Sequence, residues 1–130
     1  MQHYTTIEQS KRLIKLGLNP ESADMGWNVF TDNSTRCLPI NDWDLTKNGK
    51  GGAEFIPCWS LCALIKIMPS LISYGQYDST LVIYKYGEYQ VCYQNMHHLD
   101  EVWYVKECLL DAAFEMVCWL LENGYIKKGE

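Results

Sequence analysis

The sequence has no uncharged apolar run that approaches the roughly 18 residues of a membrane-spanning helix. The N-terminal stretch MQHYTTIEQS also lacks the basic region and apolar segment of a secretory signal. We therefore expect neither a membrane nor secretion, and the chain is predicted to be cytoplasmic. In that compartment cysteines stay reduced, so the even number of cysteines, 6, does not indicate a disulfide framework.

Basic residues are few. The chain of 130 residues has 11 Lys and Arg against 16 Asp and Glu, a net charge of −5. The acidic excess lies mainly in the second half, and no basic stripe suited to neutralising phosphates is present. Nucleic acid is therefore not an expected partner, whereas a basic protein is compatible with the charge.

Catalytic and cofactor motifs are also missing. The sequence contains no Gly-x-Ser-x-Gly, His-Glu-x-x-His or Gly-x-Gly-x-x-Gly pattern. Residues 44–55 begin like an EF-hand calcium loop, with Asp44, Thr46 and Asn48 as oxygen ligands, but Phe55 stands where the bidentate glutamate belongs. The glycine-rich NGKGG within this segment is not a P-loop, because no Gly-Lys-Ser/Thr follows at the required four-residue spacing. No metal and no cofactor are therefore predicted.

The first helix signal is near the N-terminus. Thr5-Thr6-Ile7-Glu8 has the Ser/Thr-x-x-Glu spacing of a capping box, and apolar residues follow at helical intervals. Gly17 is predicted to end this helix, and Pro20 is predicted to begin a further helical turn.

Two further helices are predicted. Ser60 is a candidate N-cap for a helix from Leu61 to about Met68, within a helical region placed near 60–74. Residues 107–123 have apolar side chains at i, i+3 and i+4 and end at an Asn-Gly C-cap. This last segment has the strongest helical pattern in the chain.

β-Structure is predicted in two places. Residues 27–30 favour a short strand, and 80–86 with 88–95 favour a hairpin in which Gly87 supplies a positive φ. Residues 31–57 are rich in Asp, Asn, Gly, Ser and Thr and are predicted to form a long loop. The predicted fold is a single α+β domain over 1–130, a two-layer structure with helices packed on one face of an antiparallel sheet.

Cys58 and Cys62 lie four residues apart in IPCWSLCALIKIMP, so an early helix start would place both on one helical face. The favoured interpretation is that they are buried, reduced core thiols. An alternative is a Cys/His-dependent hydrolase or transferase, in which Cys58 at a helix start is the nucleophile and His97 or His98 is its base.

Aromatic residues make up 13% of the chain, and most are expected to fill the core or an interface. Exposed aromatic side chains are preferred contact residues in protein interfaces. The hairpin is predicted to present a tyrosine-rich binding face, with a further contact residue in the long loop. The predicted binding residues are Tyr84, Tyr86, Tyr89, Tyr93 and Trp43.

Three blocks, TTIEQSKRLIKLGLNPESADM, IPCWSLCALIKIMP and DAAFEMVCWLLENGYIKK, cover about two fifths of the chain. In their order and spacing they resemble small uncharacterised proteins of Bacteroides-type gut bacteria and of their phages or mobile elements. The resemblance implies a bacterial, cytoplasmic setting and an accessory role, and it supplies no catalytic residue. Together with the missing motifs, it leads to the expectation of a non-enzymatic protein-binding module whose partner is another protein or a second copy of the chain.

Overall fold

The structure is a computed structural model, and it describes residues 3–40 and 54–129. Helix α1 spans Ile7–Lys15. Its N-cap is Thr6, whose hydroxyl accepts the Gln9 N–H while the Gln9 side chain accepts the Thr6 N–H. The predicted capping box therefore lies one residue later than expected. Thr5 is instead buried, and its hydroxyl accepts the backbone N–H of Trp59.

A short 3₁₀ turn, Pro20–Ser22, confirms the predicted turn and leads into a three-stranded antiparallel sheet. The strands are β1 (Met25–Val29), β2 (Thr35–Pro39) and β3 (Glu54–Cys58), in the order β2-β1-β3. The prediction of one loop over 31–57 was therefore wrong. Both missed strands are short edge strands that depend on pairing with β1, and an edge position tolerates a proline such as Pro57.

Helix α2, Leu61–Ile67, begins at Ser60, whose hydroxyl accepts the Ala63 N–H as predicted. Cys58 is not on this helix, since it ends β3, so the early helix start that would place Cys58 and Cys62 on one helical face does not occur. The helical region is also shorter than 60–74. Pro69 follows its end, and Leu71–Tyr74 forms strand β4.

The second sheet is a four-stranded antiparallel meander, ordered β4-β5-β6-β7. The predicted hairpin is confirmed as β5 (Tyr77–Tyr86) and β6 (Glu88–Asn95), joined at Gly87 with φ of 75°. Strand β7, Asp100–Lys106, was not predicted, and it pairs with β6 through a register shift at Tyr93 and Gln94.

Helix α3, Leu109–Glu122, has nine buried residues and packs against β6, β7 and α2. It ends at Asn123, followed by Gly124 with φ of 78°, as predicted. Trp59 and Tyr93 are the largest fully buried side chains of the core that these elements enclose. The α+β class is thus confirmed, with the strands divided between two antiparallel sheets.

Candidate interaction surface and thiol pair

The four-stranded sheet has one covered face and one open face. Side chains alternate between the faces of a strand, and Ile83, Val91 and Tyr93 belong to the core beneath α3. Their neighbours along the strands point the other way. We call this side the outer face, and its central residues are Val82, Tyr84, Gln90, Cys92, Trp103 and Val105.

The outer face exposes large side chains to solvent. Backbone pairing aligns Val82, Cys92 and Trp103 in one row across three strands. Trp103 is 55% exposed, Val105 42% and Tyr84 37%. Large apolar side chains gathered on one exposed face are typical of binding surfaces rather than of an inert surface.

A carboxylate lies among these side chains. The register shift in β7 places Asp100 opposite Gln94, and Oδ2 of Asp100 accepts the Gln90 Nε2–H at 2.8 Å. The Tyr84 hydroxyl is 3.5 Å from the same oxygen. Oδ1 is buried and has no hydrogen-bond partner among the residues that the structure describes. The Asp100 carboxylate is therefore only partly open to solvent, with Oδ1 enclosed by its neighbours and Oδ2 hydrogen-bonded to Gln90.

The Asp100 carboxylate affects the pKa values of two neighbouring side chains, Cys92 and Tyr84. Burial and the nearby Asp100 together raise the pKa of the Cys92 thiol to about 11. The pKa of the Tyr84 hydroxyl is also raised, by desolvation and by the same carboxylate. Both groups therefore stay protonated near neutral pH, and the negative charge at this part of the face is carried by Asp100.

The predicted tyrosine face is divided between the two sides of the sheet, so the expectation of one exposed face was wrong. Tyr84 lies on the outer face and Tyr86 is exposed at the hairpin end. Tyr89 lies on the opposite side, where the Lys85 ammonium is 4.9 Å from its ring centre. Tyr93 is 0% exposed, and its hydroxyl donates to the Pro69 carbonyl at 2.7 Å. The hairpin register pairs Tyr84 and Tyr86 with even-numbered residues of β6, so the odd-numbered Tyr89 and Tyr93 face the other way, which the prediction ignored.

Two sequence predictions remain to be compared with the structure, the contact residue Trp43 and the pairing of Cys58 with His97 or His98. Trp43 lies outside the described residues, as does most of the calcium-like segment that begins at Asp44. The Cys/His arrangement is within the described part, and the structure does not assemble it. His97 packs edge-on against the Tyr77 ring in the turn that follows β6, and His98 occupies the same turn with φ of 62°.

The partner of the Cys58 thiol is another cysteine. The Sγ atoms of Cys37 and Cys58 are 3.2 Å apart, within hydrogen-bond distance for thiols. This hydrogen bond, together with burial, raises the pKa of Cys58, the opposite of the lowered pKa expected at a helix start. The same hydrogen bond lowers the pKa of Cys37, which is partly exposed. The pair therefore loses its first proton from Cys37, and Cys58 then donates to the thiolate.

Cys62, predicted to be buried, is exposed. It lines a surface cavity of about 470 Å³ together with Glu21, Asp24 and Lys66. Within residues 3–40 and 54–129, no group of three or more His, Cys, Asp or Glu side chains is arranged to hold a metal ion. None of the described helices has the length and apolar composition needed to cross a membrane.

Three residues of these sites were missed at the sequence level, namely Trp103, Asp100 and Cys37. The stretch DEVWYVK contains the apolar and aromatic residues of a strand, which is a usable signal for β7. The contact between Cys37 and Cys58 has no such signal, because the two residues meet only through the pairing of β2 and β3 with β1.

Comparison with known proteins returned no matching family model, no matching curated protein and no matching solved structure. Function is therefore argued from the chemistry of the chain's own residues.

Proposed function

We propose that the protein is a non-enzymatic interaction module that binds a basic segment of another protein on the outer face of its four-stranded sheet. The observation that carries the proposal is the exposed Trp103 on the same open face as the partly exposed carboxylate of Asp100. Cys92 connects the two groups, since it pairs with Trp103 across the sheet and its thiol is acted on by the Asp100 carboxylate.

An arginine or lysine side chain fits this combination. A guanidinium group donates hydrogen bonds to a carboxylate and also stacks on an aromatic ring, so one side chain can use Asp100 and Trp103 together. The remaining apolar area, from Val82 to Val105, suits the aliphatic part of such a side chain. The net charge of −5 attracts a basic partner over a longer range.

The setting forms part of the proposal. A cytoplasmic protein of Bacteroides-type bacteria, or of their phages or mobile elements, is what the three sequence blocks support. An accessory protein of that kind acts through its contacts with another protein.

The test is binding of a fluorescein-labelled oligo-arginine peptide, followed by fluorescence anisotropy at low and at physiological salt. Asp100→Asn removes the charge and keeps the shape of the side chain, and we expect it to weaken binding about fivefold, as loss of roughly 1 kcal/mol would. Trp103→Ser should weaken binding by a similar factor through loss of the cation–π contact. Asp32→Asn is the matched control, because it removes the same charge from the exposed turn between β1 and β2.

If Asp32→Asn and Asp100→Asn weaken binding equally, the peptide is responding to net charge and the proposed site is wrong. Sedimentation velocity of the unmodified chain tests whether the partner is instead a second copy of the chain. Self-association that Trp103→Ser abolishes would identify a second copy as the occupant of the outer face, and it would contradict the proposal of a basic partner.

A further inference from the structure

The Cys37–Cys58 pair lies in the three-stranded sheet, apart from the proposed interaction surface. Cys37 pairs with Trp27 and Cys58 with Met25, so both side chains lie on the same face of the sheet, on opposite sides of β1. Strands two apart in a flat sheet are separated by about 9.6 Å, twice the usual strand spacing. A 3.2 Å contact between the two Sγ atoms therefore requires the sheet to curl toward this face.

Gly26 lies at the centre of this sheet, where the Phe55 ring packs directly on the strand. It lies between Met25 and Trp27 in β1 and pairs with residues adjacent to both cysteines. A Cβ atom at this position would be 2.1 Å from Cε2 of Phe55, so the ring occupies the space that a side chain would need. Phe55 pairs with Asn28 and therefore lies on the same face as this position, opposite the face that carries the two thiols.

The two thiols differ in access. Cys58 is 0% exposed, whereas Cys37 is partly open to solvent on edge strand β2. Reactive cysteines need an accessible, stabilised thiolate, and Cys37 has both the access and an S–H donor beside it. Cys92 and Cys118 are different, because they are buried and burial raises the pKa of each thiol, to about 11 and about 12 respectively.

We propose that Cys37 and Cys58 are a reversible redox pair that undergoes exchange with low-molecular-weight disulfides of the glutathione type. The Cys37 thiolate attacks one sulfur of the disulfide, forms a mixed disulfide and releases one thiolate. That thiolate takes up the Cys58 proton, and the Cys58 thiolate attacks the Cys37 sulfur and releases the second thiolate, which is protonated by the proton that Cys37 gave up to solvent. The chain loses two electrons and two protons, and one disulfide becomes two thiols.

The resulting Cys37–Cys58 disulfide should be easily reduced again. It joins β2 to β3 across the intervening strand, so the usual Cα separation of a disulfide, about 4.4–6.8 Å, is reached only while the sheet stays curled. Strained disulfides are more easily reduced than relaxed structural ones. The pair is thus suited to oxidation and re-reduction rather than to permanent cross-linking, and its oxidation would tighten the three-stranded sheet.

The full-length native chain is tested first, without any variant. It is incubated with oxidised glutathione, quenched with acid, and studied by intact-mass measurement and peptide mapping. We expect a Cys37–Cys58 disulfide, seen as loss of two hydrogen atoms, and its complete reversal by reduced glutathione. A stable glutathione adduct on Cys37 without a bond to Cys58, or an unreacted Cys37, would overturn the proposal.

Two variants sharpen the result. Cys58→Ala removes the resolving thiol, so the glutathione adduct should accumulate on Cys37. Cys62→Ser is the matched control, since it removes an exposed thiol outside the pair and should leave the Cys37–Cys58 bond unaffected. Loss of that bond in Cys62→Ser would show that Cys62 is the attacked or attacking group, which contradicts the proposed pairing.

Discussion

Substitutions on the two faces of the four-stranded sheet should change the free energy of unfolding by different amounts. Tyr93 on the covered face and Trp103 on the outer face are the two residues to compare. Tyr93 is 0% exposed, and its ring belongs to the core beneath α3. Tyr93→Ala should therefore lower the free energy of unfolding by about 3–5 kcal/mol, the usual cost of deleting a buried aromatic ring. Tyr93→Phe removes only the hydrogen bond to the Pro69 carbonyl and should cost about 1 kcal/mol.

Trp103 is adjacent in space but lies on the outer face, with over half of its surface in solvent. Trp103→Ser should change the free energy of unfolding by about 1 kcal/mol or less. Urea denaturation monitored by far-ultraviolet circular dichroism measures all three variants on one scale. Equal destabilisation by Trp103→Ser and Tyr93→Ala would refute the assignment of one covered and one open face.

Two further predictions concern the three-stranded sheet. Gly26→Ala should destabilise the chain by about 1–3 kcal/mol, because the new Cβ collides with the Phe55 ring. Thermal unfolding measures this loss, and an unchanged melting temperature would show that the close contact between Gly26 and Phe55 is absent. The alkylation rate of Cys37 by iodoacetamide should fall as pH drops through the folded-state pKa of this thiol, which the hydrogen bond from Cys58 holds below its ordinary value. The midpoint should therefore lie at lower pH in the native chain than in the urea-unfolded chain, and a midpoint at higher pH would argue against the thiol–thiol hydrogen bond.

Local signals in the sequence were sufficient for the elements that depend on local interactions. The apolar periodicity of 107–123 predicted α3, the cap at Ser60 predicted the start of α2, and Gly87 located the hairpin turn. Each of these features acts within a few residues of the chain. The hairpin and the helices together were enough to predict the α+β class.

Features that depend on distant pairing were not predicted. Strands β2 and β3 are short, and each is held by β1 rather than by its own propensity. The contact between Cys37 and Cys58 follows from that pairing, so the buried, reduced state favoured for Cys58 is confirmed but its contact with Cys37 was not predicted. The prediction of one tyrosine face failed for a different reason, because the alternation of side chains was not carried across the hairpin from Tyr84 and Tyr86 to Tyr89 and Tyr93.

The central claim is that the outer face of the four-stranded sheet is where a basic partner binds. The most direct measurement is a nitrogen–proton correlation spectrum of the labelled chain during titration with oligo-arginine. The account predicts that the largest shifts are those of the Trp103 indole N–H and of the backbone amides of Tyr84, Gln90 and Asp100. Shifts confined to another acidic region, such as the cavity lined by Glu21 and Asp24, with the Trp103 indole signal unchanged, would contradict it.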